Sequence, residues 1–153
     1  MQKIASFTVD HTVLTPGIYV SRVDGDCVTY DLRMRTPNAG SYLSDLAMHS
    51  FEHMLATYMR SGSAAGRVIY VGPMGCRTGF YLIMRGSEAD NQANLTALKE
   101  ALRGIAAHSG KMPGAAKKEC GNYRCLSVEA ARKEAEAYLA VLEADGNPTF
   151  RYQ

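Results

Sequence analysis

Two histidines four residues apart, His49 and His53, with Glu52 directly before the second, give the segment MHSFEHM an H-x-x-E-H pattern. On an α-helix the three side chains fall within an arc of about 100°, one side of the cylinder. Imidazoles at that spacing suit a divalent metal of the zinc or iron type. Their order matches the inverted form of the zinc peptidase motif, in which the carboxylate can stay off the metal as a base. The same residues also suit the wet side of an ordinary helix, so the pattern alone does not choose. A metal needs a third ligand from elsewhere. Cys120, in KKECGNYRC, is the best candidate, because Gly121 permits a tight turn and the loop leads into a helix. Two imidazoles, one thiolate and an open position would be a catalytic arrangement, not a closed structural one. For a peptidase-type set, Glu88 and Glu100 are the nominal carboxylates.

A second cluster is GPMGCRTGFY, where Gly72, Pro73, Gly75 and Gly79 surround Cys76 between two β-rich runs. It reads either as a glycine-rich hairpin with an incidental thiol or as an exposed thiol whose pKa is lowered by Arg77 or a nearby metal. A phosphate-binding loop is not expected, since no Lys-Ser/Thr pair ends it and no helix follows. In SFTVDHT, His11 beside Asp10 is either a proton-transfer or substrate-orienting group or a surface histidine near a strand end. His108 suits a helix C-terminus. Cys27, at the start of a strand, and Cys125 read as structural.

These residues need elements to carry them. GIYVSRV (17–23) and VTYDLRM (28–34), separated by a DGD turn, read as paired strands. PNAG (37–40) breaks the chain before a helix from about Ser41 to Arg60, with Leu43, Ala47, Phe51, Leu55 and Tyr58 inward and the H-x-x-E-H residues off that stripe. RVIYVG (67–72) and TGFYLIMRG (78–86) are two more strands. A second helix is expected over about 91–108, with Leu95, Leu98, Leu102 and Ile105 on one face. A third starts after Ser127, a plausible N-cap, with Val128, Ala131, Ala135, Tyr138 and Leu142 inward. Strands and helices alternate irregularly rather than as repeated βαβ units. The expected fold is therefore α+β, one domain over residues 1–153, with a small mainly antiparallel sheet packed on about three helices.

The bulk numbers agree. The chain has 153 residues, long enough for a real core, with 46% hydrophobic and 21% charged residues. A net charge of +2 calls for neither nucleic acid nor an anionic membrane. The N-terminal MQKIASFTVDHTV has no continuous apolar run, and nothing approaches a membrane span. The expected location is the cytoplasm, where four scattered cysteines would stay thiols.

Taken in order, SFTVDHT, DLRMRTPN, HSFEHMLATYMR, GPMGCRTGFYL and ECGNY resemble the S-ribosylhomocysteine lyase family, also called LuxS, over about Ile4 to Ala140. The resemblance implies a small α+β homodimer with active sites at the subunit interface. It implies that His49, His53 and Cys120 bind one divalent metal, natively Fe(II), with Zn or Co as substitutes. It implies that Cys76 and Glu52 transfer protons and that Ser6, His11 and Arg33 line the substrate pocket. The implied reaction cleaves the thioether of S-ribosylhomocysteine to homocysteine and 4,5-dihydroxy-2,3-pentanedione, the autoinducer-2 precursor, by carbonyl migration and β-elimination. Three features depart from the family pattern: Ser50 where threonine is commoner, RCLS after Tyr123, and a tail from Glu143 without clear counterpart. An inverted-motif peptidase would need a longer chain to enclose a peptide. A non-catalytic metal-binding module would have no need of Cys76 or Glu52. The residue patterns alone leave metal hydrolase and lyase open.

Overall fold

The computed structural model describes residues 4–153. The first three residues of the N-terminal segment read above lie outside the described residues. Residues 5–7 form one turn of 3-10 helix, so His11 sits in a turn region and not at a strand end.

Four strands follow the β-branched and aromatic runs: β1 (Gly17–Asp24), β2 (Cys27–Arg33), β3 (Val68–Pro73) and β4 (Gly79–Arg85). They pair in the order β1-β2-β4-β3, antiparallel throughout. Gly25, at φ 58, makes the two-residue turn between β1 and β2. Tyr30 faces Leu82 and Leu32 faces Phe80 in the register of β2 on β4. Strand alternation then splits the side chains between two faces. Val28, Tyr30, Leu32, Phe80, Leu82 and Met84 enter the core, whereas Thr29, Asp31, Arg33, Tyr81 and Ile83 occupy the other face.

The three helices are α1 (Asp45–Ser61), α2 (Asn91–Ala106) and α3 (Val128–Ala144). α1 begins four residues later than its periodicity suggests. Asn38 and Gly40 hold positive φ, and the Ser44 hydroxyl accepts the Ala47 N–H at 3.1 Å, which fixes the helix start. Its buried residues are Ala47, Ser50, Phe51, Met54, Leu55 and Met59. Tyr58, expected on that stripe, is only half-buried. Phe51 packs edge-on against Phe80 of β4, their centroids 5.1 Å apart, and burying one such ring contributes about 1.5–3 kcal/mol. Leu95, Leu98, Leu102 and Ile105 of α2, and Ala131, Ala135, Tyr138 and Leu142 of α3, enter the same core.

Two polar links tie α3 in place. Ser50 is fully buried, and its hydroxyl accepts the Ser127 N–H at 2.8 Å, at the N-cap of α3. The Arg35 guanidinium grips Glu134 through both carboxylate oxygens at 2.6 and 2.8 Å. Beyond α3 the tail returns to β1, where the Phe150 carbonyl accepts the Val20 N–H at 2.8 Å. The four cysteines are free thiols. Among the described residues no helix is long and apolar enough to cross a membrane.

Candidate metal centre and thiol cavity

His49 and His53 project from consecutive turns of α1, their rings 4.8 Å apart and nearly perpendicular. Across from them runs the stretch 107–127, which contains neither helix nor strand. It returns to α1 in two places through backbone carbonyls. His49 Nδ1 donates to the Cys125 carbonyl at 2.7 Å, and His53 Nδ1 donates to the Pro113 carbonyl at 2.8 Å. Donation from Nδ1 fixes both tautomers and leaves each Nε2 lone pair free for a cation.

Cys120 completes the group. Its Sγ lies 3.3 Å from His49 Nε2, and it accepts the Asn122 N–H at 3.4 Å. One ligand atom from each of His49, His53 and Cys120 lies within 4.8 Å of the others, and all three residues are half-buried. Zinc–nitrogen and zinc–sulfur bond lengths at a tetrahedral ion place neighbouring ligand atoms roughly 3.4–3.6 Å apart. The residues therefore fit a divalent cation held by two imidazoles and a thiolate, a donor set shared by zinc, iron and cobalt. Gly114 makes the close approach possible. It holds φ +68, and a Cβ there would meet His53 Nδ1 at 3.0 Å. Glu52, one residue before His53 on α1, is half-buried.

Cys76 stands in a different place. The turn between β3 and β4 is closed by the Arg77 N–H on the Met74 carbonyl and by the Met74 N–H on the Gly79 carbonyl, both at 2.9 Å. Gly79 is required there, because a Cβ would collide with the Leu32 carbonyl of β2. The thiol at the tip is exposed. Arg77, the neighbour expected to perturb it, takes φ 60 and carries its guanidinium to Tyr42 and Asp45 instead. The cation beside Cys76 is Arg33. Its Nη1 donates to Thr78 Oγ1 at 2.6 Å and lies 4.0 Å from the Cys76 sulfur, while Thr78 Oγ1 is 3.1 Å from that sulfur. Burial pushes the Cys76 thiol up, but hydrogen bonds with Thr78 and the Arg33 charge outweigh it, so its pKa lies below the ordinary value.

Arg33 is buried, 3% exposed, and its Nη2 pairs with Asp31 Oδ2 at 2.5 Å. Both line a cavity of about 410 Å³ together with Ser6, His11, Cys76 and Tyr81. Ser6, His11, Arg33 and Cys76 are thus gathered in one place. His11 Nδ1 donates to the Val9 carbonyl at 2.9 Å. The Asp10 carboxylate, paired with His11 in the sequence reading, is taken up by the Thr12 N–H and hydroxyl. A second cavity of about 390 Å³ shares His11 and Cys76 with the first and has Tyr42 and Thr78 in its walls. Neither cavity is lined by His49, Glu52, His53 or Cys120. The structure therefore brings the expected residues together as two groups within one chain.

Asp31, Thr78, Pro113, Gly114 and Cys125 were absent from the sequence reading as site residues. Only Asp31 had a usable signal, since its two-residue spacing from Arg33 puts both on one face of a strand. His108 has a fuller part than a helix end: Nε2 donates to the Lys111 carbonyl at 3.1 Å, so Nδ1 accepts the Tyr58 hydroxyl at 2.9 Å.

Residues 4–147 match the model of the family described as S-Ribosylhomocysteinase (LuxS). The S-ribosylhomocysteine lyase of Clostridium acetobutylicum is 44% identical over 94% of this chain and 93% of that protein. The protein of the same name from Borreliella afzelii is 40% identical over 99% of each chain, an alignment that runs through the tail. That from Desulfotalea psychrophila is 44% identical over 91% of this chain and 90% of its own length.

Proposed function

We infer the function from one premise: the chain belongs to the S-ribosylhomocysteinase (LuxS) family. It is a metal-dependent lyase that cleaves the thioether of S-ribosylhomocysteine to homocysteine and 4,5-dihydroxy-2,3-pentanedione. The observation that carries this reading beyond the family name is the convergence of His49 and His53 with Cys120, which lies 71 residues after His49. Those three side chains would hold the metal, with Fe(II) as the native ion and Zn or Co as working substitutes. Bound there, the ion supplies a Lewis acid for the charge that develops on the sugar oxygens.

The rest of the chemistry falls to side chains. A thioether leaves only when the adjacent carbon can carry negative charge, so the sugar carbonyl must first move from C1 to C3 through enediolates. Cys76, its thiolate favoured by Arg33 and Thr78, takes a proton from one carbon and returns it to the next. Glu52 moves protons among the hydroxyls and removes the C4 proton, and the C5–sulfur bond then breaks to release homocysteine thiolate. Arg33, His11 and Ser6 orient the substrate in the cavity they share.

The working unit is a homodimer with the active sites at the subunit interface. Two features support it. The cation group and the Cys76 cavity do not share walls within one chain. The sheet face away from the helices also leaves Tyr70 51% exposed, sharing an open groove with Ile4, Tyr81 and Ile83, an apolar surface suited to a second copy. The whole chain acts as one domain in the cytoplasm, where four unpaired thiols are expected.

The test is thiol release from S-ribosylhomocysteine, run with metal analysis of the same sample. Release in proportion to bound metal is expected. Peptide hydrolysis without thiol release would reject the lyase in favour of a metallopeptidase.

A further inference from the structure

The tail beyond α3 ends against the thiol cavity, past the point at residue 147 where the family match stops. Three contacts aim it there. The Phe150 ring is buried, and its carbonyl holds the Val20 N–H where the β1–β2 register shifts between Val20 and Arg22. Phe150 sits at φ 59, a left-handed conformation that a bulky residue keeps only where its surroundings impose it. The kink sends the next residues back over β1, where the Tyr152 ring stacks on Tyr19 at 5.1 Å between centroids and 15° between planes.

The Tyr152 hydroxyl then donates to Asp31 Oδ2 at 2.9 Å, the same oxygen that Arg33 Nη2 holds. Asp31 is 1% exposed, and its Oδ1 has no partner among the described residues; nor has Arg33 Nε. The carboxylate is thus held on one oxygen by two donors. One of them is the guanidinium that also reaches Thr78 and the Cys76 sulfur. We propose that Tyr152 is a positioning residue for Cys76, holding the Asp31–Arg33 pair in register with the thiol and walling the cavity from the C-terminal side. The proposal rests on the reading of Cys76 as a proton-transfer thiol.

The physical reason is competition for one guanidinium. Tyr152 draws part of the Asp31 charge into its own hydrogen bond, which leaves more of the Arg33 charge to act on the thiolate. Without the phenol, Asp31 bears wholly on Arg33 and is free to turn. The thiolate then loses support and the thiol becomes harder to ionise. Burial, reinforced by the Asp31 charge, keeps the Tyr152 phenol protonated and therefore a donor at any working pH.

The test is iodoacetamide alkylation of Cys76 against pH, followed by mass mapping in the full-length, metal-loaded protein. Tyr152→Phe keeps the ring on Tyr19 and removes only the hydroxyl. The expected result is a titration midpoint raised by about half a pH unit, which is about a threefold lower rate near neutrality. Tyr152→Ala shifts it at least as far and raises KM for S-ribosylhomocysteine. Gln153→Ala, an exposed neighbour, leaves the profile unchanged. A wild-type midpoint in both Tyr152 variants, with or without a fall in Tm, overturns the proposal and leaves the tail a purely structural clasp. Alkylation needs no turnover, so failure of the wild type to release thiol would strike the lyase reading while this profile still decides the role of Tyr152.

Discussion

His49 Nε2 lies 3.3 Å from the sulfur of Cys120, a residue 71 positions further along the chain. Neither atom has reason to tolerate the other without a cation or a proton between them, because a thiolate and two imidazole lone pairs in a half-buried site repel or stay unmatched.

Cys120→Ala therefore removes a proposed ligand, and the protein is expected to retain its fold while its metal content falls well below one equivalent per chain. Elemental analysis alongside a thermal melt checks this. Full metal content in the variant would take Cys120 out of the site.

Cys76→Ala and Glu52→Gln leave the three proposed ligands, His49, His53 and Cys120, intact. Both are expected to fold and keep metal but to lose about 10²–10⁴-fold in turnover, the usual cost of a missing acid–base group. Near-wild-type turnover in either variant would strip that residue of its role.

The Cys76 thiol ionises below the ordinary value of 9.0 despite its partial burial. A depressed folded-state pKa means that the thiolate adds to stability above the unfolded thiol's pKa. The contribution disappears as pH falls through the folded-state value. The acid limb of kcat is expected to follow that lower value. Thr78 is buried and stands between Arg33 and the sulfur, so Thr78→Val should move the limb upward. A pH–rate profile for the two proteins shows whether it does.

Gly114→Ala places a methyl group against His53 at a position of φ +68. The strain is worth about 1–3 kcal/mol, and losing the Pro113 carbonyl from His53 Nδ1 should weaken metal binding by about 10–100-fold. Chelator competition measures the second effect separately from the melt.

The H-x-x-E-H spacing made one side of the cation group legible, because helical periodicity is a local property of sequence. Cys120 was legible only as a candidate, since no local rule says which loop sulfur will cross 71 residues to meet an imidazole. The strand pattern and most of the inward helix faces followed from period alone, with Tyr58 and Val128, placed inward by the same period, only half-buried. The start of α1 was misplaced because Leu43 is buried ahead of the helix and so mimics its stripe. Arg77 was chosen as the partner of Cys76 for adjacency, but its positive φ turns the side chain away, and Arg33 arrives through strand pairing. Tyr152 lies 121 residues from Asp31 and belongs to no periodic pattern. Only tertiary structure reveals it.

Both imidazoles are steadied by main-chain oxygens, those of Pro113 and Cys125. Every amino acid carries that oxygen, so side chains at 113 and 125 are free to drift across generations while the grip on the cation persists. Spacing is what heredity must guard here: adding or deleting one residue between 107 and 127 would pull a handhold out of reach, where point changes that spare Gly114 and Cys120 would cost far less.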